Sequence, residues 1–377
     1  MLNIVCSANR SYIQHLCAMI SSVSENTTSE TIFHVFNDGF TSEEQIHIRN
    51  YMSIYSHAFI TFYTIDDSIF AGLDIKFKRL TIQTFYRLLA SELLPQDVEK
   101  ALYLDSDIIV EDDVSILLAT DLSGYYVGAV NELAPEASYA LGHERLEDYF
   151  NAGVLLINIK KWREDNFFNQ CMEYAVNNQD IITFGDQDIL NGLLQGNFYQ
   201  LELKWNVTYK LGQYKGFYSF LLKEDNIDEI EKNPSIIHYL GNTKPWSIFT
   251  IHLHKARYSY YLDKIQYPYI INPEYAEFSK RDIVFFGASK KGADKLHLFN
   301  ELELQVNYFC DNDANKWSKT YKGIEVISPD QLKQLKNPAI ILTSMYADEI
   351  GIQLEQLGFV ETKDFFKLHM LDLIAWR

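Results

Sequence analysis

Ala101-Leu102-Tyr103-Leu104-Asp105-Ser106-Asp107 joins four residues suited to a buried strand to two carboxylates one residue apart. On an extended backbone residues i and i+2 face the same side, so Asp105 and Asp107 leave the carboxyl end of a strand together. Open α/β sheets bind ligands at that end. Two carboxylates this close repel each other unless a cation lies between them. The pair points to a divalent metal that serves a phosphate-bearing substrate. The plainer alternative is a polar turn, or a helix start ahead of Ile108-Ile109-Val110, because Asp-x-Asp alone is a common pattern.

Upstream, Leu2–Cys6 reads as a strand, Ser7-Ala8-Asn9-Arg10 as a small polar loop, and Tyr12–Val23 as a helix. Such an opening sets backbone N–H groups at the sheet edge, a natural nucleotide site, although a plain strand-to-helix turn reads the same way. Thr31–Phe36 and Phe59–Ile65 read as further strands. Between them Ser42-Glu43-Glu44-Gln45 reads as a capping box, with Ile48, Tyr51, Met52 and Tyr55 at helical spacing. Strands alternating with helices imply a parallel α/β sheet. The next helix is expected over Thr81–Leu94, stopped by Pro95, and carries Arg87 among apolar neighbours. A buried arginine needs a carboxylate. Arg87 is either a structural partner of one or a group that reaches the metal-diphosphate region.

Downstream, Tyr126–Val130 reads as a strand that ends at Asn131-Glu132. The long charged loop after it contains Pro135 and Gly142. Loops of this kind are often functional, and this one is a candidate for acceptor contact. Val154–Ile159 reads as a central strand with Asn151 at its mouth, placed to bond a hydroxylated ligand or to form a turn, and a helix is expected near Asn166–Val176. Phe184–Leu190 reads as a loop entering a helix. There Asp186, Gln187 and Asp188 either cap the helix or bind sugar hydroxyls. The strand Ile236–Gly241 delivers His238, with Gly241 and Lys244 close behind. A lone histidine is more often structural, yet imidazole, glycine turn and lysine together suit a metal-bound diphosphate. Mixed carboxylate and imidazole ligation favours Mn2+ over Mg2+ or Ca2+. Residues 255–270 hold Lys255, Arg257 and five tyrosines, read as a membrane-interface patch or as rings packed on their own domain.

At 377 residues the chain is comfortable for two domains, and a hydrophobic fraction of 47% supplies a large core. A formal charge of −18 argues against nucleic acid as a partner. It also means that an anionic ligand needs local help from a metal, a lysine or helix N-termini. Cys6, Cys17, Cys171 and Cys310 lie far apart with no Cys-x-x-Cys, which fits a reducing, cytoplasmic setting. The first residues lack a basic start and a cleavage-like site, so no signal peptide is expected. No apolar run approaches the ~20 residues that span a bilayer. The expectation is a soluble protein of the cytoplasm or of the inner face of its membrane.

After Ile271-Asn272-Pro273-Glu274 the pattern restarts. Arg281–Phe286 reads as a strand, Gly287-Ala288-Ser289-Lys290-Lys291-Gly292 as a glycine loop and Ala293–Leu302 as a helix. Val306–Cys310, Ala339–Leu342 and Glu349–Leu357 follow as strand, strand and helix. This is a small Rossmann-like domain. Ser289 stands where the middle glycine would admit a pyrophosphate, and Asp311 sits at the place of a ribose-binding acid, about 20 residues on. The favoured reading is a domain that organises, docks or binds a small ligand rather than one that catalyses. The expected organisation is a first domain over 1–265, a linker over 266–279 and a second domain over 280–377.

Four segments, taken together and in order, resemble the family 8 glycosyltransferases, which have the GT-A fold: Tyr103–Asp107, Phe150–Asn158, Asp186–Asn191, and His238–Gly241 through Lys244-Pro245-Trp246. The likeness covers residues 1 to about 265 and is nearest to bacterial enzymes that add galactose or glucose to lipopolysaccharide and other surface glycans. It implies a UDP-sugar donor, Mn2+ with Mg2+ as the alternative, retention at the anomeric carbon, and a glycan, glycoprotein or lipid-linked acceptor. By position it implies Asp105, Asp107 and His238 as metal ligands and Gly241 and Lys244 at the diphosphate. It implies Ala8 and Asn9 at uridine, and Arg87, Asn151, Asp186 and Gln187 at the donor sugar. Gln187 is the residue usually placed beneath the anomeric carbon, with Asp186 beside it. Asn9 departs from the aspartate frequent at its position. Asp186, Asp188 and Glu132 are the carboxylates available for a double displacement; same-face attack within an ion pair is the favoured route.

Three rival readings remain at this level. A nucleotidyltransferase would want a glycine-rich, arginine-bearing loop after the first strand, and Ser7-Ala8-Asn9-Arg10 has no glycine. A non-catalytic sugar-nucleotide-binding scaffold is opposed by the intact Asp105, Asp107 and His238 set. An oxidoreductase built on the second domain is disfavoured by Ser289. Residues 133–148 and 207–227 show no readable acceptor code, and the choice of hexose and the oligomeric state stay open.

Overall fold

The strand that ends in the two carboxylates, Lys100–Leu104 (β4), is the fourth of seven in its sheet. The other six are Leu2–Ala8 (β1), Thr31–Asn37 (β2), Ala58–Thr64 (β3), Val127–Asn131 (β6), Phe150–Asn158 (β7) and Tyr199–Gln200 (β8), and the order is β3-β2-β1-β4-β7-β6-β8. This is a computed structural model that describes residues 1–73, 81–241, 244–246, 252–268, 280–301, 304–361 and 363–367. The chain divides into two compact units, Met1–Gly241 with His254–Tyr269, and Asn242–Leu253 with Ile270–Arg377. The linker expected over 266–279 lies outside the described residues from 269 on.

β1, β2, β3 and β4 run parallel, as the alternation of strands and helices predicts. β7 does not: it pairs antiparallel with both β4 and β6. This reversal lays the amino end of β7 against the carboxyl end of β4, with Val154 opposite Leu104. Along β4, Leu102 and Leu104 enter one core cluster while Ala101 and Tyr103 enter the other. Both faces of the sheet are therefore covered, which is why the strand reads as a continuous apolar run. A further small sheet pairs Ile108–Val110 (β5) antiparallel with Ile236–His238 (β9), with Ile108 opposite His238. Asp105-Ser106-Asp107 thus connects two strands and does not start a helix.

Several local expectations shift. The capping box is one residue earlier: Thr41, extended at φ −63° and ψ 159°, accepts from the Glu44 N–H, and the Glu44 side chain returns to the Thr41 N–H. Thr41-Ser42-Glu43-Glu44 satisfies the same four-residue rule as the frame read from sequence. The segment expected as a helix over Thr81–Leu94 is a 3-10 helix over Ile82–Leu89 that passes into a short α-turn, Ala90–Leu93. The long charged loop contains a helix, Pro135–Ala140, with proline in its first turn. β7 begins at Phe150, so Asn151 belongs to the strand. The tyrosine-rich segment forms the helix Lys255–Lys264 and packs on its own unit. The Tyr258 hydroxyl lies 2.6 Å from His15 Nδ1, and the Tyr261 hydroxyl accepts from Asn26 at 2.8 Å. Among the described residues no helix is long and apolar enough to cross a membrane.

The second unit has a six-stranded sheet of Ile283–Phe286 (β10), Val306–Cys310 (β11), Thr320–Tyr321 (β12), Ile324–Ile327 (β13), Ala339–Leu342 (β14) and Phe365–Lys367 (β15). The order is β12-β13-β11-β10-β14-β15, parallel except at β12–β13. The helices Lys290–Glu301 and Ala347–Gln356 follow β10 and β14, and apolar clusters line both faces. The Rossmann-like pattern is present, with β13 and the edge strands β12 and β15 added.

Candidate active site

Asp105 leaves β4, Asp107 enters β5 and His238 ends β9, so three strand termini supply one cluster. Its ligand atoms lie within 4.8 Å of one another. His238 Nε2 is 3.8 Å from Asp105 Oδ2 and 3.5 Å from Asp107 Oδ1. The Asp105 N–H donates to the Gly153 carbonyl at 2.9 Å, and the Tyr239 N–H donates to the Asp107 carbonyl at 3.0 Å. Both flanks of the Asp-Ser-Asp turn are pinned by backbone.

The cluster has a polarity suited to a cation. One oxygen of Asp105, Oδ1, is taken by protein donors, Arg87 Nη2 at 2.9 Å and the Tyr103 hydroxyl at 2.9 Å. The other, Oδ2, faces the imidazole. The tautomer of His238 follows from its neighbours. Asn206 Nδ2 donates to Asn151 Oδ1 at 2.8 Å, so Asn206 turns its oxygen to His238 Nδ1, 2.9 Å away. Nδ1 then donates to Asn206, and Nε2 is the nitrogen turned to the two carboxylates. Metal-bound histidines are held in this way by a partner on the second nitrogen. Hard carboxylate oxygens with one imidazole form a donor set that a divalent cation such as Mn2+ fits.

Gly153 makes the room. A β-carbon there would stand 2.3 Å from His238 Cε1 and 2.8 Å from Asp105 Oδ2. Glycine inside a strand commonly marks such a close approach.

Arg87 is buried and serves three masters: Asp105, Asp186 and the Ala152 carbonyl. Its guanidinium also lies 4.2 Å from the centre of the Tyr103 ring. Burial works against its charge, and Asp105 and Asp186 outweigh burial, so its pKa is raised. Of the two roles read from sequence the structure shows the carboxylate partner, and one of its two carboxylates, Asp105, belongs to the metal-capable cluster. Asp186 starts the helix Asp186–Leu194 and is 2% exposed. Its Oδ1 accepts from the Thr84 hydroxyl at 2.6 Å. Its Oδ2 lies 2.8 Å from Arg87 Nε yet receives no hydrogen bond, because that N–H is directed at the Thr84 carbonyl. Burial pushes the Asp186 carboxyl up to about 6, and Arg87 offsets this only in part.

An amide network joins this region to the metal-capable cluster. Asn151 accepts from Asn206 and from the Gly153 N–H, and it donates to Glu132 at 2.6 Å and to Gln187 Oε1 at 3.2 Å. Gln187 Oε1 also accepts from the Ala152 N–H at 3.0 Å, and its Nε2 donates to the Tyr149 hydroxyl at 2.9 Å and to Glu132 at 3.3 Å. Glu132 is paired with Lys210. Asp188 is wholly buried and accepts from the Tyr149 hydroxyl and from the Thr183 and Phe184 N–H groups. Its bonds are those of a helix start and leave it the least suited of the three carboxylates to act as a nucleophile.

Ala8 ends β1, and Asn9 caps the turn Arg10–Tyr12, its oxygen accepting from the Tyr12 N–H and the Ser11 hydroxyl. The Ser106 hydroxyl donates to the Ser7 carbonyl at 2.7 Å and ties this loop to the Asp-Ser-Asp turn. Gly241 adopts φ +64°, a conformation that favours glycine. Lys244, 5.7 Å from the centre of the Trp246 ring, falls in the segment grouped with the second unit. Sequence reading did not assign Gly153, Asn206, Tyr103 or Lys210 a place in the site. Gly153 had a signal, a glycine inside a strand. Asn206 had none, because it ends the short 3-10 helix Leu203–Asn206 and its partners arrive from two distant strands.

A family profile described as glycosyl transferase family 8 matches residues 3–249, and one described as C2185-like, N-terminal, matches residues 279–365. General stress protein A of Bacillus subtilis is 27% identical over 286 residues, 72% of this chain and 96% of the relative. Lipopolysaccharide 1,2-glucosyltransferase of Escherichia coli is 26% identical over 265 residues, 67% of this chain and 74% of the relative. A solved structure of the galactosyltransferase LgtC in complex with donor and acceptor sugar analogues is 28% identical with a TM-score of 0.60. The match covers 73% of this chain and 99% of LgtC.

Proposed function

The chain belongs to glycosyl transferase family 8, and from that premise we propose that it is a hexosyltransferase. It moves galactose or glucose from a UDP-sugar to a glycan, glycoprotein or lipid-linked acceptor, depends on a divalent metal and retains the anomeric configuration. The observation that carries this reading is the Asp105–Asp107–His238 cluster, with the imidazole Nε2 held toward two carboxylates.

Asp105, Asp107 and His238 would hold Mn2+, with Mg2+ as the alternative, and the ion when bound stabilises the negative charge of departing UDP. Arg87 keeps Asp105 Oδ1 occupied and Oδ2 turned to the cluster. Ala8 and Asn9 lie on the loop proposed to meet uridine; the Gly241 turn and Lys244 are proposed for the diphosphate. The buried Oδ2 of Asp186, which is ion-paired with Arg87 but receives no hydrogen bond, is suited to accept from a donor-sugar hydroxyl. Asn151, with two accepting and two donating bonds already made inside the protein, is assigned the placing of Gln187.

Gln187 is held by four bonds with its carbonyl oxygen among them, and an amide is a weak nucleophile. This supports same-face attack over a covalent intermediate. Trapping a glycosyl-enzyme by mass spectrometry would count against it. Residues 1–265 are proposed as the transferase and 280–377 as an accessory domain, in a cytoplasmic protein. Titration calorimetry with UDP tests the donor assignment: binding should need Mn2+, vanish with EDTA and vanish in Asp107→Asn. Metal-independent UDP binding of equal strength would remove the diphosphate role of the cluster.

A further inference from the structure

The sheet of the second unit grows from β10 in two directions, to β11 and β13 on one side and to β14 and β15 on the other. Loops at the carboxyl ends of β10 and β14 diverge at such a switch, and crevices that take ligands form there. A cavity of about 330 Å3 lies at this position, bordered by Gly287, Asp311, Asn312, Ser344, Tyr346 and Gln353. That volume is at the low end of ordinary ligand pockets, about 300–1,000 Å3, enough for one nucleoside or one sugar and too little for a dinucleotide.

Its walls are held from within the unit. Gly287 is at φ +127°, and a β-carbon there would press within 3.3 Å of the Ser344 nitrogen. The Thr343 hydroxyl donates to the Phe286 carbonyl at 3.2 Å and joins the ends of β14 and β10. The Asp311 carboxylate accepts from the Ala288 N–H, the Asp313 N–H and Lys316. Three of its roughly four acceptor positions are therefore filled. Asn312 and Gln353 bond each other in both directions, at 2.9 and 3.0 Å, which leaves each amide a second N–H and a second lone pair. Tyr346 is 61% exposed.

Among the described residues the lining has no cation. Lys316 is engaged with Asp311, and Glu349 adds a second carboxylate. Phosphate is disfavoured on charge, and Ser289 replaces the glycine that would let a pyrophosphate approach the loop. What remains is amide and carboxylate groups beside an aromatic ring, the chemistry that takes a neutral ring by its hydroxyls and by one face. We propose that this pocket is a second ligand site, for an uncharged ring that bears vicinal hydroxyls, the ribose of a nucleoside or a pyranose.

Saturation-transfer NMR and calorimetry on the full chain, with adenosine, methyl α-glucoside and AMP as probes, test it. Adenosine or the glucoside should bind, AMP should bind more weakly than adenosine, and Tyr346→Ala and Gln353→Ala should each weaken the neutral ligand at least about tenfold. Binding of adenosine alone assigns a nucleoside, and binding of the glucoside alone assigns a glycan. The proposal is overturned if neither binds up to tens of millimolar, if AMP binds more tightly than adenosine, or if both variants bind as the parent does.

Discussion

His238 Nδ1 lies 2.9 Å from Asn206 Oδ1, and this one bond decides which imidazole nitrogen faces Asp105 and Asp107. Removal of the acceptor in Asn206→Ala frees the ring to change tautomer and orientation. Outer partners of this kind are worth about 10- to 100-fold in metal affinity, so Mn2+ binding by calorimetry should weaken by that order. Asn206→Asp keeps the acceptor and loses the donor to Asn151. It should keep metal affinity and lower turnover, because Asn151 and Gln187 lose their fixed arrangement.

Gly153→Ala sets a β-carbon against both His238 and Asp105, so one of them must move. Overpacking at such a point costs about 1–3 kcal/mol. The expected result is a lower unfolding midpoint together with loss of Mn2+ binding as complete as in His238→Ala. A variant that binds Mn2+ normally would show that the cluster is not the metal site.

Arg87 compensates two carboxylates at once, and its side chain is 5% exposed. Arg87→Met leaves Asp105 and Asp186 without their cation. A broken buried pair of this kind costs about 3–5 kcal/mol, measured by urea unfolding. Saturating Mn2+ should recover part of the loss, and should stabilise the variant more than the parent, because the ion replaces one missing positive charge.

Asp186 gives the pH dependence. Burial raises its carboxyl from 3.8 to about 6 in the folded chain. A raised folded pKa means that the neutral form favours the fold. The benefit is complete below about pH 4 and is lost as pH rises through about 6. Asp186→Asn stays neutral at every pH. Urea unfolding of parent and variant should therefore show the variant gaining relative stability between about pH 4 and pH 6, on the order of 2 kcal/mol. A difference that stays flat across that range would place the ionisation elsewhere.

The strand-and-carboxylate reading of residues 101–107 survives in the structure because it rests on local rules: a continuous apolar run whose side chains alternate between two faces, and two acids at a strand end. The reversed direction of β7 is not local. Phe150–Asn158 is apolar in either direction, and only its pairing with β4 and β6 shows which way it runs. The same limit applies to the site. His238, Asp105 and Asp107 could be named from their types, and Gly153 from its place in a strand. Asn206 and Lys210 act through partners on β9, on β7 and just after β6 that are distant in sequence, so no spacing announces them. The capping box shows the opposite difficulty: two overlapping frames obey one rule, and backbone angles choose between them.

The most direct test of the account is UDP release by the purified chain, from UDP-glucose and UDP-galactose in parallel, with Mn2+ or with EDTA. Glycosyltransferases commonly hydrolyse their donor slowly without acceptor, so none is required. The account predicts Mn2+-dependent release from one of the two donors, abolished by EDTA and by Asp107→Asn. Release that persists in EDTA or in Asp107→Asn would contradict it.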